Sequence, residues 1–113
     1  MVSPRRVTGR HPVVRSTRMI LGAALVDLGR GDDGVNELRA AVEGADRLVS
    51  PPGRWQSRAA LGRALYATGD DDGAAETYRQ GAEAIRAFAE TLSPEHAAAL
   101  LGAAPIVEIL TAH

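Results

Sequence analysis

The sequence predicts an all-α protein: antiparallel helix pairs, about five helices in all, stacked with a period of forty residues into an α-α superhelix. Three observations carry this. A dipeptide recurs, with Leu21-Gly22, Leu61-Gly62 and Leu101-Gly102 at constant spacing. The match extends outward: Leu21-Gly22-Ala23-Ala24-Leu25 aligns with Leu61-Gly62-Arg63-Ala64-Leu65, Gly29 with Gly69, Asp32 with Asp72, Arg39 with Arg79 and Glu43 with Glu83. Self-similarity at a fixed period of this order marks stacked supersecondary units. The composition agrees, because 45% of the 113 residues are apolar but only 4% aromatic. The core must therefore come from Leu, Val, Ile and much Ala, the residue that loses least on entering a helix. Finally, apolar residues recur at spacings of three and four, and no segment alternates with the period of a strand.

The elements follow in order. Residues 1–12 read as a disordered basic tail. Ser3-Pro4-Arg5-Arg6 resembles a twin-arginine leader, but Gly9, Arg10, His11 and Pro12 follow it, and Met19–Val26 is too short and too late for an export core. A domain over 13–113 comprises repeats at 13–50 and 54–91 and a partial one at 94–111. Val13–Leu28 is the first helix, Gly29-Arg30-Gly31-Asp32-Asp33 the turn, and Gly34–Val49 its partner. Ser50-Pro51-Pro52-Gly53 separates the repeats, since consecutive prolines interrupt a helix. Trp55–Thr68 is the next helix, stopped by Gly69 in a left-handed conformation. One of Asp70, Asp71 and Asp72 caps the following helix, whose stripe runs through Ala74, Ala75, Tyr78, Ala82, Ile85 and Phe88. Ser93-Pro94-Glu95 opens another helix, and Pro105 breaks or kinks it before the apolar turn Ile106, Val107, Ile109, Leu110.

On these residues the chain resembles the tetratricopeptide repeat family. Leu21, Gly22, Leu25, Gly34, Leu38 and Ala41 match the family pattern in the first copy. Leu61, Gly62, Leu65, Ala74, Tyr78 and Gly81 match it in the second. The period is forty rather than about 34, and Asp46 and Arg86 stand where the family's closing Pro would be. Longer periods and the Ala103-Ala104-Pro105 ending are similar to the C-terminal repeat tails of bacterial regulators, such as LuxR-type activators and cyclase-linked ATPases. The resemblance implies a module that binds a protein or peptide through the concave wall formed by the first helix of each pair. That wall maps to Ser16, Met19, Ala23, Val26 and Asp27, then Gln56, Ala59, Arg63 and Tyr66, then His96, Ala99 and Ala103. Arg63 is its most obvious anchor for a carboxylate or a backbone carbonyl.

Catalytic chemistry finds little support. There is no Cys, and all 13 basic residues are Arg, which excludes thiolate nucleophiles, Cys-ligated zinc, Schiff bases and P-loops. Gly29–Gly34 satisfies G-x-G-x-x-G, but a helix rather than a strand precedes it. Arg30-Gly31-Asp32 is an adhesion tripeptide by the same accident of composition. Asp70-Asp71-Asp72-Gly73 lacks the later acids of a calcium loop, since Ala74 and Gly81 occupy those positions. His11, His96 and His113 share no ligand spacing. Arg79, Arg86, Glu76 and Glu83 form a solvated face. A non-enzymatic role with no cofactor and no metal is expected.

A net charge of −1 argues against nucleic acid as a partner, and no apolar run approaches the length needed to span a membrane; a soluble, cytoplasmic protein is expected. Two complete helix pairs and a partial third fall short of the usual three. Ile106, Val107, Ile109 and Leu110 are therefore expected either to fold back over the third repeat or to contact a second copy in a homodimer. A small-molecule-sensing domain of a bacterial transcriptional regulator is the alternative function. A helix-turn-helix DNA binder would need a basic recognition helix, and the most basic segment is Arg5–Arg18, only part of which is helical.

Overall fold

The computed structural model describes residues 11–48 and 51–112, which form six helices. These are α1 (His11–Asp27), α2 (Gly31–Leu48), α3 (Pro51–Ala67), α4 (Asp71–Ala89), α5 (Pro94–Gly102) and α6 (Ala104–Thr111). There is no strand among the described residues, so the all-helical expectation holds. The expected tail lies largely outside them: residues 1–10 are not described, and α1 begins at His11.

Each helix packs on the next from α1 to α4, and α1 also touches α3. The two hairpin turns are built alike. Gly29 has φ +82° and Gly69 φ +93°, the conformation that stops a helix at low cost only when no Cβ is present. The amides of Leu28, Gly29 and Arg30 donate to the carbonyls of Ala24, Val26 and Leu25, and those of Thr68, Gly69 and Asp70 to Ala64, Tyr66 and Leu65. Beyond each turn the capping differs. Asp70 accepts from the Gly73 amide at 2.9 Å and caps α4, whereas Arg30, forty residues earlier, instead grips Asp33 at 2.7 Å.

Small residues set the helix crossings. A Cβ on Gly22 would lie 2.6 Å from Leu38 Cγ, and one on Gly62 would lie 2.8 Å from the Tyr78 ring. Each glycine thus meets the large residue sixteen positions on. Between the first two pairs lies a core of Val35, Leu38, Ala60, Leu61, Ala64, Leu65 and Ala74, with Met19, Val26 and Val42 at its edge. A second core gathers Trp55, Ala59, Ile85, Ile106 and Ile109, with Trp55 and Phe88 in tilted ring contact at 5.6 Å.

Three expectations need correction. Pro51-Pro52 does not separate helices but lies in the first turn of α3; amides there have no intrahelical acceptor, so losing them costs nothing. The described residues form six helices rather than about five, because Ala103 is extended (φ −68°, ψ 137°) and Pro105 sits at the start of a separate α6. The last turn folds back not over the third repeat alone but over α3 and α4 as well: it packs on α5, Ile106 and Ile109 are 6% and 4% exposed, and both pack with Trp55 and Ile85. Among the four residues expected at a self-contact, Ile106 and Ile109 are thus taken up by their own chain, Leu110 is half-buried and Val107 exposed.

Candidate functional site: the groove between α1 and α3

Met19, Ala23, Val26 and Asp27 recur at helical spacing on one face of α1. This face and α3 enclose an open groove of about 580 Å³, whose α3 wall is Ala60, Arg63, Ala64 and Ala67 and whose floor includes Leu38 of α2. The groove exists because its walls are made of alanine. Where longer aliphatic chains would fill the space between α1 and α3, Ala23, Ala60, Ala64 and Ala67 leave it open. Its charged groups are opposite in sign and on opposite walls, with Asp27 on α1 and Arg63 on α3. Both are exposed.

A second concavity of about 400 Å³ continues from the first and lies between α3 and the α5–α6 arm. Met19 and Arg63 border both, and Gln56, Leu100, Pro105 and Glu108 complete the rim of the second. The fold-back of α6 shapes this end, because Ile106 and Ile109 supply its apolar floor.

The residues expected on the concave wall divide three ways. Met19, Ala23, Val26, Asp27 and Arg63 are brought together, and Gln56, Ala59 and Arg63 line the continuation. Tyr66 is 69% exposed and lines neither hollow. His96, Ala99 and Ala103 are exposed on or beside α5, and His96 is held at its start, with Nδ1 3.1 Å from Ser93 Oγ. The side chain of Ser16 lies outside the described residues. Sequence reasoning missed Ile20, Leu38, Ala60, Ala64 and Ala67 in the groove and Leu100, Pro105 and Glu108 in its continuation. Pro105 and Glu108 reach the site only because the chain turns at Ala103.

The opposite side of the molecule carries an ionic network instead. Arg58, its side chain only 15% exposed, donates to both carboxylate oxygens of Asp46 at 2.9 and 2.8 Å and to Gln80 at 3.3 Å. It thereby ties α2, α3 and α4. The hydrogen bond from Arg58 holds the Asp46 carboxyl below its ordinary value, helped by the charges of Arg58 and Arg54 and opposed by partial burial. Burial raises the Tyr78 phenol, which lies over Gly62. Glu76 is held low by hydrogen bonds from Arg79 and Gln80, both on the exposed side of α4.

Among the described residues no group of three or more His, Asp or Glu side chains is placed to hold a metal ion. No helix there is long and apolar enough to cross a membrane. The chain matches no protein-family model, no curated protein and no solved structure. The groove is therefore read from its own chemistry: an apolar trough with one cation and one anion on its rims, suited to holding a ligand by shape and burial.

Proposed function

We propose that this chain is a tetratricopeptide-like repeat module that acts by binding rather than catalysis, taking an amphipathic helix or peptide of a partner protein into the groove between α1 and α3. The observation that carries the reading is the groove itself, open along its length and bounded by Met19, Ala23, Val26 and Asp27 on one side and Arg63 on the other. Two matched turns and two matched glycine crossings, forty residues apart, support the repeat. In such a stack the first helices of successive pairs line one wall, and here those helices are α1 and α3. The partner segment presents small or medium apolar residues at i, i+3 and i+4 to the alanine walls. An acidic group or chain carbonyl near Arg63 and a basic group near Asp27 then fix its direction.

The groove's volume also lies within the roughly 300–1,000 Å³ typical of small-ligand sites. That observation favours a second reading, a sensor that holds an apolar metabolite. One experiment separates them. A randomised helical peptide library displayed on phage is selected against the protein, and a metabolite panel is screened by thermal shift. Each hit is repeated with Ala23→Arg, which puts a long charged side chain into the trough. The peptide reading expects enriched peptides with the stated pattern whose binding falls at least tenfold in Ala23→Arg. Metabolite hits lost in Ala23→Arg, without peptide enrichment, replace it by the sensor reading. Peptides that bind both proteins equally contradict the groove assignment.

A further inference from the structure

The outer face of α1, turned away from α2 and bordering the groove only at Ile20, carries Ile20, Leu21, Ala24 and Leu28. All four are exposed, Ile20, Leu21 and Leu28 by 68%, 47% and 75%. Forty residues on, the same face of α3 carries Ala60, Leu61, Ala64 and Thr68. There it is covered: Ala60, Leu61 and Ala64 are 8% exposed or less and pack with Val35 and Leu38 of the preceding pair. Thr68 Cγ2 lies 2.6 Å from where a Cβ on Gly31 would stand. The face that α3 buries is bare on α1. It is also more apolar there, since Ile20 replaces Ala60 and Leu28 replaces Thr68. A helix face that serves only to meet water gains nothing from that exchange, and contiguous exposed apolar patches mark contacts.

We propose that a second copy of this chain covers this face, α1 packing antiparallel on the other α1 about a two-fold axis at Ala24. Two observations favour a copy in this arrangement. The opposite end of the stack is closed, because α6 lies on α4 and Ile109 Cγ2 is 3.3 Å from the Cβ position of Gly81; head-to-tail association is blocked, and like must meet like. The face is self-complementary in size, for an antiparallel crossing centred on Ala24 sets Ile20 against Leu28 of the other copy at both ends, with the smallest residue at the axis where backbones approach. This contact shares only Ile20 with the groove, and it does not depend on what the groove holds.

Sedimentation velocity across about 1 µM to 1 mM, the affinity span of small interfaces, tests the proposal. The expected mass rises from that of one 11.9 kDa chain to that of two. Leu28→Glu, with helical circular dichroism unchanged, abolishes the rise, whereas Arg63→Ala in the groove does not. Because the chain has no cysteine, Ala24→Cys gives a single thiol. At an interaxial distance of about 8–10 Å, with Cα atoms about 2.3 Å off each axis, the Cα atoms of the two substituted residues come within disulfide reach. Mild oxidation should then give a covalent dimer from Ala24→Cys and not from Ala98→Cys on α5, even if Leu28→Glu does not fold. A constant monomer mass up to 1 mM, a dimer that survives in folded Leu28→Glu, or equal cross-linking by both cysteine variants overturns the proposal.

Discussion

Gly34→Ala probes the close crossing of α1 and α2. A Cβ at Gly34 would stand 2.5 Å from the Gly22 carbonyl oxygen, 2.7 Å from Val26 Cγ2 and 3.0 Å from the Val26 amide nitrogen. Two of these are backbone atoms, so a rotamer change cannot relieve the clash and α1 must move away from α2. Overpacking of this kind costs about 1–3 kcal/mol. The change to Ala returns up to about 1 kcal/mol of helix propensity. The net effect is a loss of up to about 2 kcal/mol, or several degrees in Tm for a domain of this length. Gly44→Ala in the same helix is the control: nothing lies within 4 Å of its Cβ position, so it should gain up to about 1 kcal/mol. Urea unfolding followed by far-ultraviolet circular dichroism measures both. Gly34→Ala as stable as Gly44→Ala would refute the close crossing.

Other outcomes follow from the same contacts. Ile109→Ala removes a buried side chain that packs with Trp55 and Ile85; it should cost about 2–5 kcal/mol, measured by urea unfolding. Because α6 is only eight residues long, its amides should also lose hydrogen-exchange protection before those of α3. Asp46 has a folded-state pKa below its ordinary value of 3.8. Its contribution to stability is therefore complete above that value and is lost as pH falls through the lower folded value. Asp46→Asn should flatten this part of the acid-stability curve in pH-dependent urea midpoints. At neutral pH it should destabilise the protein by leaving Arg58, which binds both carboxylate oxygens, half-partnered.

Much of this architecture is legible in the chain because local and tertiary demands coincide. Gly29 and Gly69 stop helices for a reason that belongs to the backbone alone, and Asp70 and Ser93 cap helices through bonds to amides three residues away. The helix crossings are legible as well, since Gly22 and Gly62 sit opposite large residues at equal spacing. What escaped depends on placement in space. Pro51-Pro52 reads as an interruption, yet the first turn of a helix is where proline is harmless. Pro105 announces a break, but the direction taken after Ala103 is set by the pocket that Trp55, Ala59 and Gly81 offer to Ile106 and Ile109. The groove was half visible: the resemblance to the repeat family put Met19, Ala23, Val26 and Asp27 on a shared wall with Arg63. His96 fell outside it because α5 ends at Gly102 and the chain turns back into α6, and Tyr66 because it stands exposed on α3.

The most direct test of the proposed equivalence of the two helix pairs is a nuclear Overhauser spectrum of the labelled protein, read at two glycines. Gly22 should show strong cross-peaks from its Hα protons to the Leu38 methyl groups. Gly62 should show matching cross-peaks to the Tyr78 ring, again sixteen residues away. Both sets of peaks together are the predicted result. The presence of one without the other would mean that α1–α2 and α3–α4 do not share a geometry, and the stacked-pair account would be wrong.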